Sequence, residues 1–484
     1  MANDSQRPEP SPYGGLIVNE TPKFDLQSYI SNYRGRTVFR RLHLIASCSP
    51  VLAEEASRLA VLEAKKGSDV RNYTEAAALY KKVARDSSTD VLDPTWATKQ
   101  EKKNNAETAR LENELKGYKN NLIKESIRMG NEDLGTHYHS IGDLNNALKA
   151  YSRMRDYCTT PAHIASTAFR IISVSIEQKS WLAVNAQVTK IQNLQMKADE
   201  NTRNVPKTYA AMGLNQMASA EYRLAANSFL NCDSSLGDSY NDVLTSNDVA
   251  VYGGLCALAS MSRAELQTKV LENANFRNFL ELEPHIRRAI TYFCASKYSQ
   301  CLEILESYRA DYLLDLYLQP VITDLYNKVR TKSIIQYFQP FSKVTLANME
   351  KIFGSPAPVR APTGNKVTQQ TFIEEIISLI ETGKLEALID LEYGTLNAIE
   401  RDPRAEAQEE ALNMIDAFTR EARLKLIRLQ ALTAGLEVKF PVRKQRTWDA
   451  EDDLSGYGDN ASQGQSGLTS GGGDGLQSFS QKVG

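Results

Sequence analysis

The chain has little of what chemistry on small molecules usually requires. Its 484 residues include only five histidines and six cysteines. Cys48, Cys158, Cys232, Cys256, Cys294 and Cys301 form no CxxC pair and no framework spacing. That usage suits reduced, mostly buried thiols of the cytosol or nucleus. No apolar run approaches the ~20 residues that a membrane span requires. The opening "MANDSQRPEPSPYGG" lacks the apolar core of a signal peptide. A formal net charge of −2 argues against a broad nucleic-acid-binding surface. What remains is a composition of 42% hydrophobic and 24% charged residues, ordinary for a soluble globular protein of two or three domains.

The polar, Pro/Gly-rich residues 1–23 read as a disordered lead. Order is expected from "FDLQSYISNYRGRTVFRRLHLIASCSP", where Phe24, Leu26, Tyr29, Tyr33, Val38, Leu42 and Ile45 recur at helical spacing. Helical signals then run to about residue 338 without strand-like alternation. One very polar helix is expected over 96–128, with Gly130 as its left-handed cap, bridging solvent between better-packed parts. Beyond 338, "LANMEKIF" and "TQQTFIEEIISLIETGK" read as short amphipathic helices around a Pro/Gly-rich insertion at 354–367. "LEALIDLEYGTLNAIE" follows as a β-hairpin turning at Tyr393 and Gly394. Helix, helix, hairpin is the pattern of a winged helix, here at about 338–401. Asp402 as N-cap and Pro403 in the first turn open a long helix to Gly435. A Gly/Ser-rich tail occupies 441–484.

The stretch "GNEDLGTHYHSIGDLNNALKAYSRMRDYC" (130–158) contains an H-x-H pair, His137 and His139. A zinc-dependent isopeptidase uses such a pair with a serine and an aspartate farther on. Counting from His139, those partners fall at Ala147 and Ala150, which neither bind nor orient anything. Helical neighbours one and two apart also point in divergent directions. The repeat reading holds instead. Leu134, Gly135, Tyr138, Gly142, Ala147 and Tyr151 follow the tetratricopeptide order of small and large residues, and Pro161 begins the next helix. "GDLNNALKAY" is echoed by "KSWLAVNAQV" (179–188), "AEYRLAANSF" (220–229) and "SKYSQCLEIL" (296–305). The expected fold is mainly α: a tetratricopeptide-like helical-repeat solenoid over 24–270, then a helical bundle plus winged helix over 271–401. The long helix at 402–435 completes it.

The same residues carry a likeness. "NLIKESIRMGNEDLGTHYHSIGDLNNALKAYSRMRDYC", "SNDVAVYGGLCALASMSRAELQ" (246–267), "FRNFLELEPHIRRAI" (276–290) and "LLDLYLQPVITDLYNKVRTKSIIQYFQPFSKV" (313–344) resemble the subunit 1 family of the COP signalosome. That complex removes the ubiquitin-like modifier from cullins. The likeness spans roughly 24–440, departing at the 354–367 insertion and the tail. It implies a PCI domain over 271–401 and a non-catalytic scaffold role in assembly and cullin deneddylation, in cytoplasm and nucleus. Implied partners are other PCI-domain subunits and, through the complex, a metalloprotease subunit and cullin–RING ligases. A paralogous proteasome-lid PCI subunit is the nearest alternative; a winged-helix nucleic-acid adaptor is a more distant one.

Other candidates reduce to ordinary roles. Gly253, Gly254 and Lys269 lack the P-loop spacing and a preceding strand, so a close helix contact is expected. Cys256, in "LCALA", reads as an inert core thiol. His43, His163 and His285 stand alone on helices. "RGRTVFRR" could bind an acidic partner, but its default reading is a solvated helix face. Glu374, Glu375 and Glu381 on the second winged-helix helix, with Asp390 and Glu392 on the hairpin, would repel phosphates, so protein contact is favoured over DNA. No catalytic residue, cofactor or metal site is expected, and neither nucleic acid nor membrane as partner. Partner contact is expected along the hairpin edges (Leu385, Leu388, Ile389, Leu396, Ile399) and along one stripe of the last helix. That stripe holds Leu412, Ile415, Phe418, Ala422, Leu426 and Leu429.

Overall fold

The computed structural model describes residues 17–83, 93, 95–354, 359–360, 367–368, 372–399 and 403–436. The lead at 1–16, most of the insertion, Asp402 and the tail lie outside them. Two compact units divide near residue 400.

The first unit opens with α1 (Leu26–Ser31), α2 (Arg36–Cys48), α3 (Ala53–Lys66), α4 (Val70–Val83) and α5 (Trp96–Asn120). The repeat pairs follow as α6 (Lys124–Ile141) with α7 (Leu144–Arg155), α8 (Pro161–Glu177) with α9 (Trp181–Gln192), and α10 (Ala198–Ala218) with α11 (Tyr222–Leu230). Next come α12 (Ser246–Ser260), α13 (Arg263–Glu265), a π-helical turn at Leu266–Leu271, and α14 (Ala274–Leu282). α15 (Pro284–Cys294) pairs with α16 (Tyr298–Ser307), and α17 (Arg309–Leu313) leads to α18 (Ile322–Phe338).

The echoed segments share one backbone device. Each opens on a left-handed residue: Gly142, Lys179, Ala220 and Ser296. In every case that residue's N–H donates to the carbonyl three back, and the next N–H to the carbonyl five before it. The second set of bonds is Asp143 to Tyr138, Ser180 to Ser175, Glu221 to Gln216 and Lys297 to Tyr292, at 2.8–3.0 Å. This doubly bonded cap ends the first helix of a pair and turns the chain into the second. The second helices then bury matching positions: Ala147 and Tyr151, Val184 and Val188, Ala225 and Phe229, Cys301 and Leu305. At Gly135 a Cβ would lie 2.5 Å from Tyr151 Cε1, so the small residue makes room for the large one.

Three expectations change. The polar helix stops at Asn120, and Gly130 lies inside α6, where a Cβ would meet Tyr118 at 2.9 Å. It is a contact point for α5, not a cap. α5 also packs Leu111 and Leu115 against Ile127 and Leu134 of α6, so it is only partly solvent-bridging. Residues 17–23 belong to the folded part: Val18 is buried, its N–H bonds Cys48 O at 2.8 Å, and the Lys23 N–H bonds Asp311 at 2.9 Å.

The third change concerns "RGRTVFRR". Arg36 pairs with Asp69 (2.8 Å) and Glu177 (2.9 Å). Arg41 is fully buried, pairing with Asp315 at 2.5 Å and Asp248 at 3.2 Å. Tyr29 accepts another Arg41 hydrogen bond, and the Tyr33 ring lies 4.0 Å from the guanidinium. The Tyr33 hydroxyl donates to Asp248 and that of Tyr252 to Asp315, both at 2.7 Å. Asp248 also closes the capping box of α12, and Asp315 accepts the backbone N–H groups of Tyr317 and Leu318. Burial pushes both carboxyls up and the Arg41 charge pulls both down. At Asp315 the pull wins and at Asp248 burial wins. The sequence shows a basic run; only the fold shows what stands opposite each arginine.

Arg41→Met leaves two facing buried carboxylates without their cation, and should cost about 3–5 kcal/mol in urea unfolding of the first unit's signal. Ala220→Gly relieves a left-handed alanine against some added chain entropy and should raise stability by about 0.5–1 kcal/mol. Gly142→Ala should lower it, because its Cβ would lie 2.3 Å from Asp69 Oδ2. Thermal melting of both variants reads the sign.

Candidate partner-binding surface

The end of the first unit is built from β1 (Lys343–Thr345), α19 (Leu346–Phe353), β2 (Val359–Arg360), β3 (Val367–Thr368), α20 (Phe372–Glu381), β4 (Ala387–Asp390) and β5 (Thr395–Ala398). β2 and β3 pair antiparallel within the insertion. The main sheet has the order β1-β5-β4, all antiparallel. Asp390 Oδ1 accepts the N–H groups of Glu392 and Tyr393, and Gly394 takes the positive φ that closes the hairpin. The core holds Val344, Met349, Phe353, Phe372, Ile376, Leu379, Leu385 and Leu396.

The sheet order sorts the hairpin candidates. β5 is central, flanked on both sides, so Leu396 is fully buried and offers no edge. Leu385 is likewise core. β1 and β4 are the two edge strands, and β4 is the one presenting apolar groups outward, with Leu388 63% exposed and Ile389 half-buried. Ile399 is exposed, and so are Leu391 and Tyr393 at the turn, two residues the hydrophobic alternation did not single out. An edge strand bearing exposed apolar side chains is a template for another chain.

On α20, Glu375 does not face outward. Arg330 of α18 grips it bidentately at 2.8–3.1 Å and donates also to the carbonyls of Phe353 and Gly354. Besides Glu374, Ser378 and Glu381, α20 exposes Ile373 and Ile377, one turn apart. No base-reading pattern of Arg, Lys, Asn or Gln lies there. A groove of about 820 Å³ runs between α18 and the sheet, lined among others by Lys328, Lys332, Phe341, Lys384 and Ile399. Burial drives the Lys332 ammonium down to about 8. Its donors nevertheless go to the carbonyls of Leu258 and Met261, so it caps the end of α12.

The second unit contains α21 (Pro403–Thr433), 31 residues long. Leu412, Ile415, Phe418, Leu426 and Leu429 are all exposed, and Ala422 half so. Leu424 and Ile427 are exposed too, and a 3.6-residue turn places them on roughly the opposite side from Phe418. The helix is thus apolar on two faces in its C-terminal half, which a search for a single stripe misses. Two apolar faces require neighbours on two sides.

The chemistry-bearing candidates serve packing. His139 Nε2 lies 2.6 Å from Glu177 Oε1, while His137 Nε2 contacts Thr108 Oγ1 at 3.0 Å. Burial raises the Glu177 carboxyl, but the hydrogen bond and charge of His139, with Arg36 and Arg40, bring it below its ordinary value. Ala147 and Ala150 are buried. Among the described residues no His/Cys/Asp/Glu group is arranged to hold a metal. Buried Cys256 is pushed well up by desolvation. Gly254 lets Ile286 approach, where a Cβ would lie 2.3 Å from its Cγ2. Lys269 pairs with Glu265. His285 stacks on Tyr308 and bonds the Tyr312 hydroxyl at 2.8 Å. His43 is buried and His163 half-buried.

Paired helices feeding a three-stranded winged helix define a PCI-type assembly subunit, and family models agree. The PCI domain model matches residues 305–398 and the model described as 26S proteasome subunit RPN7 matches 93–269. COP9 signalosome complex subunit 1 of Emericella nidulans is 53% identical over 93% of this chain and 92% of its own. Proteins of that name from Neurospora crassa (39% identical, 84% and 90% covered) and Arabidopsis thaliana (37%, 86% and 91%) extend the likeness. The chain belongs to the COP9 signalosome subunit 1 family.

The surface carries a test. Phe418→Asp with Leu426→Glu should leave helix content and melting of the free chain within about 2 °C of wild type. The same variant should be lost from the assembled complex, since each large side chain contributes roughly 1.5–3 kcal/mol when buried. Co-purification of the variant at wild-type yield would dismiss the helix as an assembly element.

Proposed function

We propose that this protein is a non-catalytic scaffold subunit of the COP9 signalosome, working in cytoplasm and nucleus. It supports assembly of the complex and thereby cullin deneddylation. It acts by geometry: α21 enters a helical bundle with partners on both apolar faces, and the β4 edge with Leu388, Leu391 and Tyr393 docks a neighbouring PCI subunit. The observation that carries this reading is α21, whose large apolar side chains are exposed on two faces of a 31-residue helix. Such a helix is uneconomical in a free protein and ordinary in a bundle. Catalysis belongs to a separate metalloprotease subunit, reached with the cullin–RING ligases only through the complex. Support for a non-enzymatic role comes from His137 and His139, whose rings are engaged with Thr108 and Glu177. The acidic and apolar outer face of α20, with Glu374, Glu381, Ile373 and Ile377, supports protein rather than nucleic acid as partner.

Affinity purification from native extract, with partners identified by mass, should return PCI subunits and a metalloprotease subunit. The isolated chain should cleave no neddylated cullin and bind less than about 0.1 zinc per chain. Removing the chain from a reconstituted complex should abolish deneddylation through loss of assembly. Recovery of proteasome-lid partners alone, or cleavage by the isolated chain, overturns the reading.

A further inference from the structure

The N-terminal residues 17–33 run across charged groups that belong to distant parts of the first unit. Only Val18, Leu26 and Tyr33 of this segment are buried, and its one regular element is the six-residue α1. Its fastenings to the rest are mainly polar and aromatic. The Lys23 N–H donates to Asp311, and its ammonium lies 4.1 Å from the Tyr308 ring centroid. Tyr29 binds Arg41 and approaches Asp315, and Tyr33 binds Asp248 and covers the guanidinium. α2 behind it is different in kind. It buries Val38, Phe39, Leu42, Leu44 and Ile45 along one 13-residue helix, whereas 17–33 buries three large side chains and rests Phe24, Tyr29 and Ile30 only partly covered against the core. Segments holding little apolar surface open locally, below the free energy of global unfolding.

We infer that residues 17–33 form a strap that opens independently of α2, uncovering Arg41, Asp248 and Asp315. Its closed position completes the tie between the N-terminal helices and the Asp315 turn. Tyr29 and Tyr33 supply two of the phenols around Arg41, while Tyr252 and the carboxylates come from beneath. With the strap open, water reaches three ionised or ionisable groups that otherwise interact in a low-dielectric setting, and their mutual hold weakens.

Hydrogen–deuterium exchange on the full-length chain tests this. In the wild type, amides of 26–33 should exchange at least tenfold faster than those of 38–46. Tyr33→Phe removes one hydroxyl and no packing volume. It should speed the strap at least threefold while leaving 38–46 and 161–192 within a factor of 1.5. A chain beginning at residue 34 should remain folded and show at least threefold faster exchange at 246–252. Equal rates for strap and α2 in the wild type overturn the inference, as does a Tyr33→Phe effect that is absent or spread evenly along the chain. Failure of the shortened chain to fold also counts against it, because an independently opening strap is not required for the fold beneath.

Discussion

One buried guanidinium sets the terms for the first unit. Arg41 sits on the second helix of the chain, yet its two carboxylate partners lie more than 200 residues later, on α12 and on the turn before α18. A buried arginine is tolerable only where hydrogen bonds and opposite charge replace its water. Here Asp315, Asp248 and the tyrosines do so together. The same carboxylates hold backbone groups of their own segments, so the cluster joins local caps to long-range contacts. Its worth lies less in net stability than in register. A helix rotated or slid from its place would leave a buried charge unpaired.

A second arginine continues the connection. The turn that Asp315 organises feeds α18, and from α18 Arg330 grips Glu375 on α20 and the carbonyls that end α19. The N-terminal helices are thereby joined through α18 to the winged helix by charge-assisted bonds of fixed geometry. For a scaffold this is a sensible use of expensive interactions. A surface that docks partners by shape needs its edge strand held in one orientation by the bundle behind it, and hydrophobic contact alone is less particular about angle.

The exposed apolar groups are distributed accordingly. Leu388, Leu391 and Tyr393 stand on a short edge strand and its turn, and Phe418 with its neighbours on a helix of another unit. Three titratable residues that could have served chemistry are instead matched to structural partners: His139 to Glu177, His285 to Tyr312, Lys332 to carbonyls.

The sequence by itself determined the helical pairs, their small-and-large packing positions, the hairpin and the two-helix frame around it, because each rests on spacings of three, four or two residues. It determined as well that the last helix carries a long apolar stripe. Only the tertiary structure decided which strand is an edge. Leu388 and Leu396 look alike in a hairpin, and β1, contributed from some fifty residues upstream, covers one side of β5 and not β4. Only tertiary structure gave the basic run near residue 40 its meaning, since a charge reads as solvated until its partner comes into contact from far along the chain. It likewise gave Lys179, Ala220 and Ser296 the left-handed turns that residue type disfavours. There the packing of the two helices on either side outweighs the local backbone preference, and such a balance is written in contacts between segments, not in any one of them.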